Sequence, residues 1–326
     1  MAALSPSSLS ALPDSLLLQI LAWLPPRDRV GVARVCKQWH RLVRDNSLWR
    51  HVDLSSCRIS SKILWHLLRN YLRGSLQTLK LRGSLLSFRK QVLTSALMQA
   101  LGKQCPKLHQ LSLMETDLCS LQYDCVPSSL TTLELRCCEI PFVWFQVPET
   151  SKISCAFPRI QQLAIWNVPA FSNQHLFRIA TQGTLRTLTL SEVYRITDVG
   201  IQTVAPHLKD LEHLALHQCS IGDSAMHFVG RHMKQLHHLD LRSNSLTDAG
   251  LLCLSGLPIL ESLCLRDCSQ LSPETILIVC QSFPSLKHLD LSRINFEDKM
   301  LQKIQVGLPS CVVANTISCL DSSVIS

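Results

Sequence analysis

The sequence predicts an α/β solenoid, a row of short parallel strands backed by helices, with a small three-helix head in front of it. Three observations carry this. A six-residue phrase, L-x-x-L-x-L, recurs nine times between Leu76 and Leu291. The stretches between phrases hold helix-patterned segments with capping residues in front and proline behind. Apolar residues make up 46% of the 326-residue chain and charged residues 17%, so there is a large core to bury and no case for disorder.

Residues 1–11, mostly Ser, Ala and Leu, read as a loose tail. Ordered structure begins at Leu12-Pro13-Asp14-Ser15, where Asp14 or Ser15 can cap a helix by accepting its free backbone amides. Leu16, Leu17, Ile20, Leu21 and Leu24 follow at helical spacing, and Pro25-Pro26 ends the helix. Asp28 can cap a second helix through Val30, Val32, Ala33 and Val35; Lys37 to Arg44 make a third, with Trp39 and Leu42 inward and Lys37, Arg41 and Arg44 outward. A unit of this size lies below the ~40 residues at which domains usually fold alone, so it needs a neighbour or partner. The first helix carries more apolar surface than two short helices can cover. Its leucines either pack inside the head or dock on another protein, and the excess favours docking.

The nine phrases start at Leu76, Leu108, Leu130, Ile160, Leu185, Leu211, Leu236, Leu260 and Leu286, after a degenerate copy from Trp49 to Leu54. Their spacing of 22 to 32 residues scatters about the ~20–29 residue period of leucine-rich repeats. In each phrase the leucines point inward and the residues between them outward, as a strand requires. Side by side, the strands form a parallel sheet on the concave wall of an arc or horseshoe, with helices on the convex side. Ile196 to Val204 and Leu246 to Leu254 are two such helices, with Thr197 or Asp198 and Thr247 or Asp248 as caps, while Pro206, Pro258 and Pro284 stop them.

Two units break the rhythm. The one at Leu108 spans 22 residues and has room for little helix. The next carries Pro141-Phe-Val-Trp-Phe-Gln-Val-Pro148 and then Glu149 to Ala156, which read as an irregular loop whose aromatics are buried filler or a partner site. Leu86 to Gly102 lengthens the second unit as a longer convex helix. Cys311 to Ile317 reads as a closing strand, and residues 301–320 are suited to cover the apolar end of the array. The expected organisation is a tail (1–11), a helical head (12–50), a solenoid of about ten units with its cap (51–320) and a Ser-rich tail (321–326).

Fifteen cysteines form no C-x-x-C pair, and Cys57, Cys138, Cys219 and Cys268 each follow the last leucine of a phrase by three residues. They read as reduced, turn-packing thiols in a cytoplasmic or nuclear protein. Leu16 to Leu24 lacks the basic flank and cleavage site of a signal peptide, and no run of ~18 apolar residues is present to span a membrane. The net charge of +8 is dispersed without a basic run, which argues against nucleic acid as a partner. No P-loop, H-E-x-x-H or G-x-S-x-G element occurs, and Cys36 with His40 is explained by the third helix, so no catalysis and no cofactor is expected.

In a solenoid, function falls to the outward residues of the strands. Trp166 is expected exposed, and Trp and Arg are the residues most often found at binding hot spots. Arg242 and Arg266, on neighbouring strands beside His217, form a cationic patch suited to a carboxylate or phosphate, with Arg136 on the strand before Trp166. Glu134 and Asp240 can instead satisfy the arginines internally. His213, His217, His238 and Asp240 share a face, but solvated strand histidines are far commoner than a metal site, and none is expected.

Leu12-Pro13-Asp14, the Leu16/Leu17/Ile20/Leu21/Leu24-Pro25 helix, Val35-Cys36-Lys37-x-Trp39 and Leu48-Trp49 together resemble the F-box. Followed by leucine-rich repeats, the chain resembles the F-box/LRR family, substrate receptors of SCF-type ubiquitin ligases. The resemblance implies docking on the Skp adaptor, and through it on cullin and RING subunits. By position it assigns Leu12, Pro13, Leu16, Ile20, Leu21, Leu24 and Pro25 to adaptor contact, and Val35, Trp39 and Trp49 to holding the head. Arg136, Trp166, His217, Asp240, Arg242 and Arg266 are then the expected substrate-binding residues. A scaffold or inhibitor using the same solenoid outside a ligase is the alternative.

Overall fold

In a computed structural model, residues 12–85, 93–146 and 157–315 are described. The chain divides into two compact units, residues 1–130 with 155–158, and residues 131–154 with 159–326.

The first unit opens with α1 (Asp14–Ala22), α2 (Pro26–Val32) and α3 (Lys37–Leu42). Neither Asp14 nor Ser15 caps α1. Pro13 is its N-cap, and Asp14 sits in the first turn, where it pairs with Arg41 and accepts a 3.0 Å hydrogen bond from Gln38. The carboxylate thus ties α1 to α3. Asp28 likewise lies inside α2, whose N-cap is Pro25. The thiol of Cys36 caps α3, accepting from the Trp39 N–H at 3.5 Å, and the helix stops at Leu42 and not at Arg44. Val35, expected to hold the head, is exposed, and Trp39 is half-buried.

A 3-10 turn at Asn46–Trp49 leads into β1 (His51–Leu54). Trp49 is fully buried; its indole N–H donates to the Val43 carbonyl at 2.6 Å and its ring stacks on Tyr71 at 4.7 Å. There follow α4 (Ser61–Leu67), continued by a π-turn over Leu68–Leu72, then β2 (Thr78–Arg82), α5 (Ser95–Gln104) and β3 (Gln110–Met114). β1, β2 and β3 pair in parallel with Val52, Leu79 and Leu111 in register, all buried. The expected helix from Leu86 is seen from Ser95 on, residues 86–92 lying outside the described part. The unit at Leu108 holds a single 3-10 turn, Tyr123–Cys125.

Among its described residues the second unit is a parallel run of eight strands in sequence order: β4 (Thr132–Arg136), β5 (Gln162–Trp166), β6 (Thr187–Ser191), β7 (His213–His217), β8 (His238–Asp240), β9 (Ser262–Cys264), β10 (His288–Asp290) and β11 (Val312–Ala314). Behind them stand α6 (Asn173–Ala180), α7 (Asp198–Val204), α8 (Asp223–His232), α9 (Asp248–Leu252), α10 (Pro273–Gln281) and α11 (Asp298–Gly307). The phrase leucines, such as Leu188, Leu190, Leu214 and Leu216, are buried, and the alternate residues form the helix-free face of the sheet. The closing strand is the three residues of β11; Thr316 and Ile317 lie outside the described part, as do both expected tails.

Three regular devices hold these units in step. In the second unit the residue two places after the last phrase leucine turns left-handed, at Cys137, Asn167, Glu192, Gln218, Ser243, Asp267 and Arg293, with φ between 47° and 62°. This conformation is costly for non-glycine residues. It is offset by a main-chain bond to the next strand, for example Cys137 N–H to the Trp166 carbonyl at 2.8 Å and Ser243 N–H to that of Arg266 at 2.8 Å.

Second, Cys219 and Cys268 turn their thiols back to the carbonyls of Leu190 and Leu241 in the preceding repeat, at 3.6 and 3.2 Å, and Asn244 does the same to Leu216 at 2.5 Å. Cys138 is buried too, but Cys57 is exposed and does not share this role.

Third, the first residue of each helix from α6 to α9 reaches forward one repeat. Asn173, Asp198, Asp223 and Asp248 accept from the main-chain N–H of Thr197, Gly222, Thr247 and Ser272 at 2.8 to 3.1 Å. Of the two expected Thr-Asp caps, Thr197 makes no side-chain cap bond and Asp198 and Asp248 reach forward instead. Thr247 caps its own helix, accepting from the Ala249 N–H at 3.3 Å, while the neighbouring aspartate stitches to the next. Gly200 and Gly250 make room for the stitch: a Cβ there would stand 2.0 Å from Asn173 Oδ1 and 2.2 Å from Asp223 Oδ1.

Pro141 to Gln146 is irregular, and residues 147–156 lie outside the described part. Trp144 and Phe145 are buried filler, whereas Phe142 is exposed. His175, wholly buried on α6, pins this loop: Nδ1 accepts from the Ser172 N–H at 3.2 Å, and Nε2–H faces the Pro141 carbonyl at 3.2 Å.

Candidate functional site

α1 presents two stripes. Leu17 and Leu21, four residues apart, are each 1% exposed and form the inner one. Leu16, Ile20 and Trp23 follow the i, i+4, i+7 rule on the outer side, 44%, 45% and 90% exposed. Of the residues expected to meet a partner, Leu16, Ile20, Pro13 and Pro25 lie at the surface, Leu12 and Leu24 are half-buried, and Leu21 is inside the head. Leu21 is a core residue and offers no surface. Trp23 was not among the expected contacts, although its spacing from Leu16 places it in line with them.

What holds α1 in place was not legible from its own residues. The guanidinium of Arg29, on α2, is buried and points at the carbonyls that end α1. Nε donates to Leu24 at 2.7 Å and Leu21 at 3.1 Å, Nη2 to Ala22 at 2.8 Å, and Nη1 to the Leu48 carbonyl. The Arg29 Cζ also lies 5.8 Å from the centre of the Trp49 ring. Burial pushes the Arg29 pKa below its ordinary value, and no carboxylate among the described residues pairs with it. Its charge meets the negative end of the α1 dipole instead. By charge alone such a residue is assigned to the surface.

On the helix-free face of the second unit, the expected substrate residues separate into three settings. Arg136 and Trp166 are direct partners in adjacent strands, and the guanidinium lies 4.9 Å from the centre of the indole ring. Trp166 is therefore half-covered by Arg136 and not the freely exposed aromatic expected.

His217, Asp240 and Arg242 form one cluster. Arg242 grips Asp240 through Nε at 3.1 and 3.2 Å and Nη2 at 2.5 Å, and His217 Nε2 stands 3.0 Å from Asp240 Oδ2, close enough for an ion pair but without hydrogen-bond alignment. Burial works to raise the Asp240 pKa, yet His217 and Arg242 together hold the carboxyl well below the usual range. Arg242 is thus internally satisfied. Arg266, on the next strand, is half-buried and forms no ion pair with any described residue.

The histidines do not converge as metal ligands. His213 and His238 stack face to face, 4.4 Å apart and 5° from parallel, so they offer ring faces to one another. Burial and the proximity of His213 push the His238 pKa down.

The F-box-like family model matches residues 9–55, and a leucine-rich-repeat model matches residues 232–255. Human F-box/LRR-repeat protein 12 is 37% identical over 314 residues, covering 94% of this chain and 95% of that protein. The chain belongs to the F-box/LRR-repeat family. Its members are typically adaptors or receptors and not enzymes. Among solved structures, the fold is shared with the complex of Rad7 and Elc1 from yeast, at a TM-score of 0.54 and 16% identity, over 97% of this chain and 88% of that one. It is also shared with an internalin (inlF) from Listeria monocytogenes, at a TM-score of 0.51 and 18% identity over 83% and 67%. No helix among the described residues is long and apolar enough to cross a membrane.

Proposed function

We propose that this chain is the substrate-recognition subunit of an SCF ubiquitin ligase, its F-box-like head docking on the Skp adaptor and its repeats holding a protein substrate. One observation carries the proposal: the outer stripe of α1, Leu16, Ile20 and Trp23, lies exposed in an F-box-like head whose inner stripe already fills its own core. Burying each of these side chains against a partner is worth ~1.5–3 kcal/mol before the costs of association.

The substrate surface is assigned to the helix-free face of the second unit, with exposed Arg136 and the half-exposed Trp166 and Arg266 as its anchors. The Asp240 cluster orders the face between them. The chain contributes proximity and no chemistry of its own, raising the effective concentration of substrate beside the ubiquitin-charged subunit. Reconstitution tests this: the chain with adaptor, cullin and RING subunits should direct ubiquitin onto a bound protein, and the chain alone should transfer none. Equal transfer without the adaptor would overturn the proposal.

A further inference from the structure

We infer that the F-box-like head reads its adaptor partly by charge, through a recess that takes an acidic side chain; this rests on the docking proposed above. The head concentrates charge. Residues 12–50 hold seven Arg and Lys against three Asp, so half of the chain's net +8 lies in this short segment.

Two of the seven cations are used internally: Arg29 caps the end of α1, and Arg41 pairs with Asp14. Arg34 and Lys37 are different. Both are exposed, neither forms an ion pair with any described residue, and together with Ala33, Cys36 and His40 they line a recess of about 370 Å³ between the end of α2 and the start of α3. His40 is fixed there by Nδ1, 3.3 Å from the Ala33 carbonyl oxygen. Val35, between the two cations in sequence, is exposed but does not line the recess.

An Asp or Glu entering the recess gains charge-assisted hydrogen bonds from Arg34 and Lys37. The docking surface therefore has two parts: an apolar stripe on α1 that supplies affinity, and a cationic recess that favours an acidic partner and rejects a basic one.

The test uses the full chain and purified Skp-type adaptor. Dissociation constants are measured at about 50 and about 300 mM salt for the wild type, for Arg34→Glu/Lys37→Glu, for Arg34→Gln/Lys37→Gln, and for Lys209→Glu as a remote exposed control. The expected result is at least a roughly tenfold loss for the double reversal at low salt, a smaller loss for the neutral pair, a flatter salt dependence for both, and Lys209→Glu within about twofold of wild type. A double reversal within about twofold of wild type at both salt concentrations overturns the recess. If Trp23→Glu abolishes binding while the double reversal does not weaken it, the charge inference alone fails; if the wild type does not bind the adaptor, docking fails with it.

Discussion

The carboxylate of Asp223 accepts two hydrogen bonds from Thr247, one repeat further on: the main-chain N–H at 2.9 Å and the hydroxyl at 2.5 Å. The same link recurs from Asn173, Asp198 and Asp248, so each helix start is positioned by the one before it. Asp223→Ala leaves that N–H without its acceptor and is expected to cost ~1.5–3 kcal/mol, the range for hydrogen bonds to charged groups. Gly250→Ala should also destabilise, although alanine favours a helix by ~1 kcal/mol, because the new Cβ meets Asp223 Oδ1 at 2.2 Å and Leu246 at 2.5 Å. Chemical denaturation checks both. In the double variant the cost of Gly250→Ala should fall, since one of its two obstacles is gone; strictly additive costs would show that the stitch is not what the glycine accommodates.

Asp240 gives a pH dependence. Its folded carboxyl titrates well below the ordinary ~3.9 of an unfolded Asp. A depressed carboxylate contributes stability that is present above the unfolded pKa and lost as pH falls below it. Wild type should therefore exceed Asp240→Asn in stability above about pH 4, and the gap should close on further acidification. A gap independent of pH between about 3 and 7 would contradict this assignment.

His175 acts in a higher window with a distinct cause. Burial lowers its pKa below the ordinary ~6.5, and its Nδ1 already accepts the Ser172 N–H, so the neutral ring is the form that fits. As pH falls below about 6.5, the unfolded chain takes up a proton that the folded chain does not, and stability declines. His175→Phe should remove this slope and loosen the loop at Pro141, visible as faster hydrogen exchange around Trp144. An unchanged slope would assign the acid sensitivity elsewhere.

On the substrate face, Trp166→Ala is expected to weaken capture of a bound protein by ~2 kcal/mol, in the hot-spot range. Arg266→Gln should weaken it more than Arg242→Gln does, because the Arg242 charge is already spent on Asp240. Binding measurements with one captured substrate decide the order; the reverse order would move the site to the Asp240 cluster.

The repeat architecture was legible because its signal is redundant: nine leucine phrases state the same strand, and the positions that alternate with them name the sheet face. Local capping was misjudged where one residue type serves two ends, as with Asp14, which ties α1 to α3, and Asp198, which reaches into the next repeat. The apolar helix of the head was recognised, but its phase was not. Assigning Leu21 to the surface and overlooking Trp23 follow from treating five leucine-type residues as one stripe when the helix divides them into two. Arg29 and the Arg136–Trp166 stack depend on contacts between elements, which no spacing within one element encodes.

The most direct test of the account is the affinity of the purified chain for a Skp-type adaptor, compared among wild type, Ile20→Glu and Trp23→Glu, with thermal unfolding as the folding control. Both substitutions change exposed side chains, so unfolding should be unaltered while affinity falls by about a hundredfold or more, as for a buried apolar anchor replaced by a charge. Affinities within about twofold of wild type for both variants would contradict docking through α1.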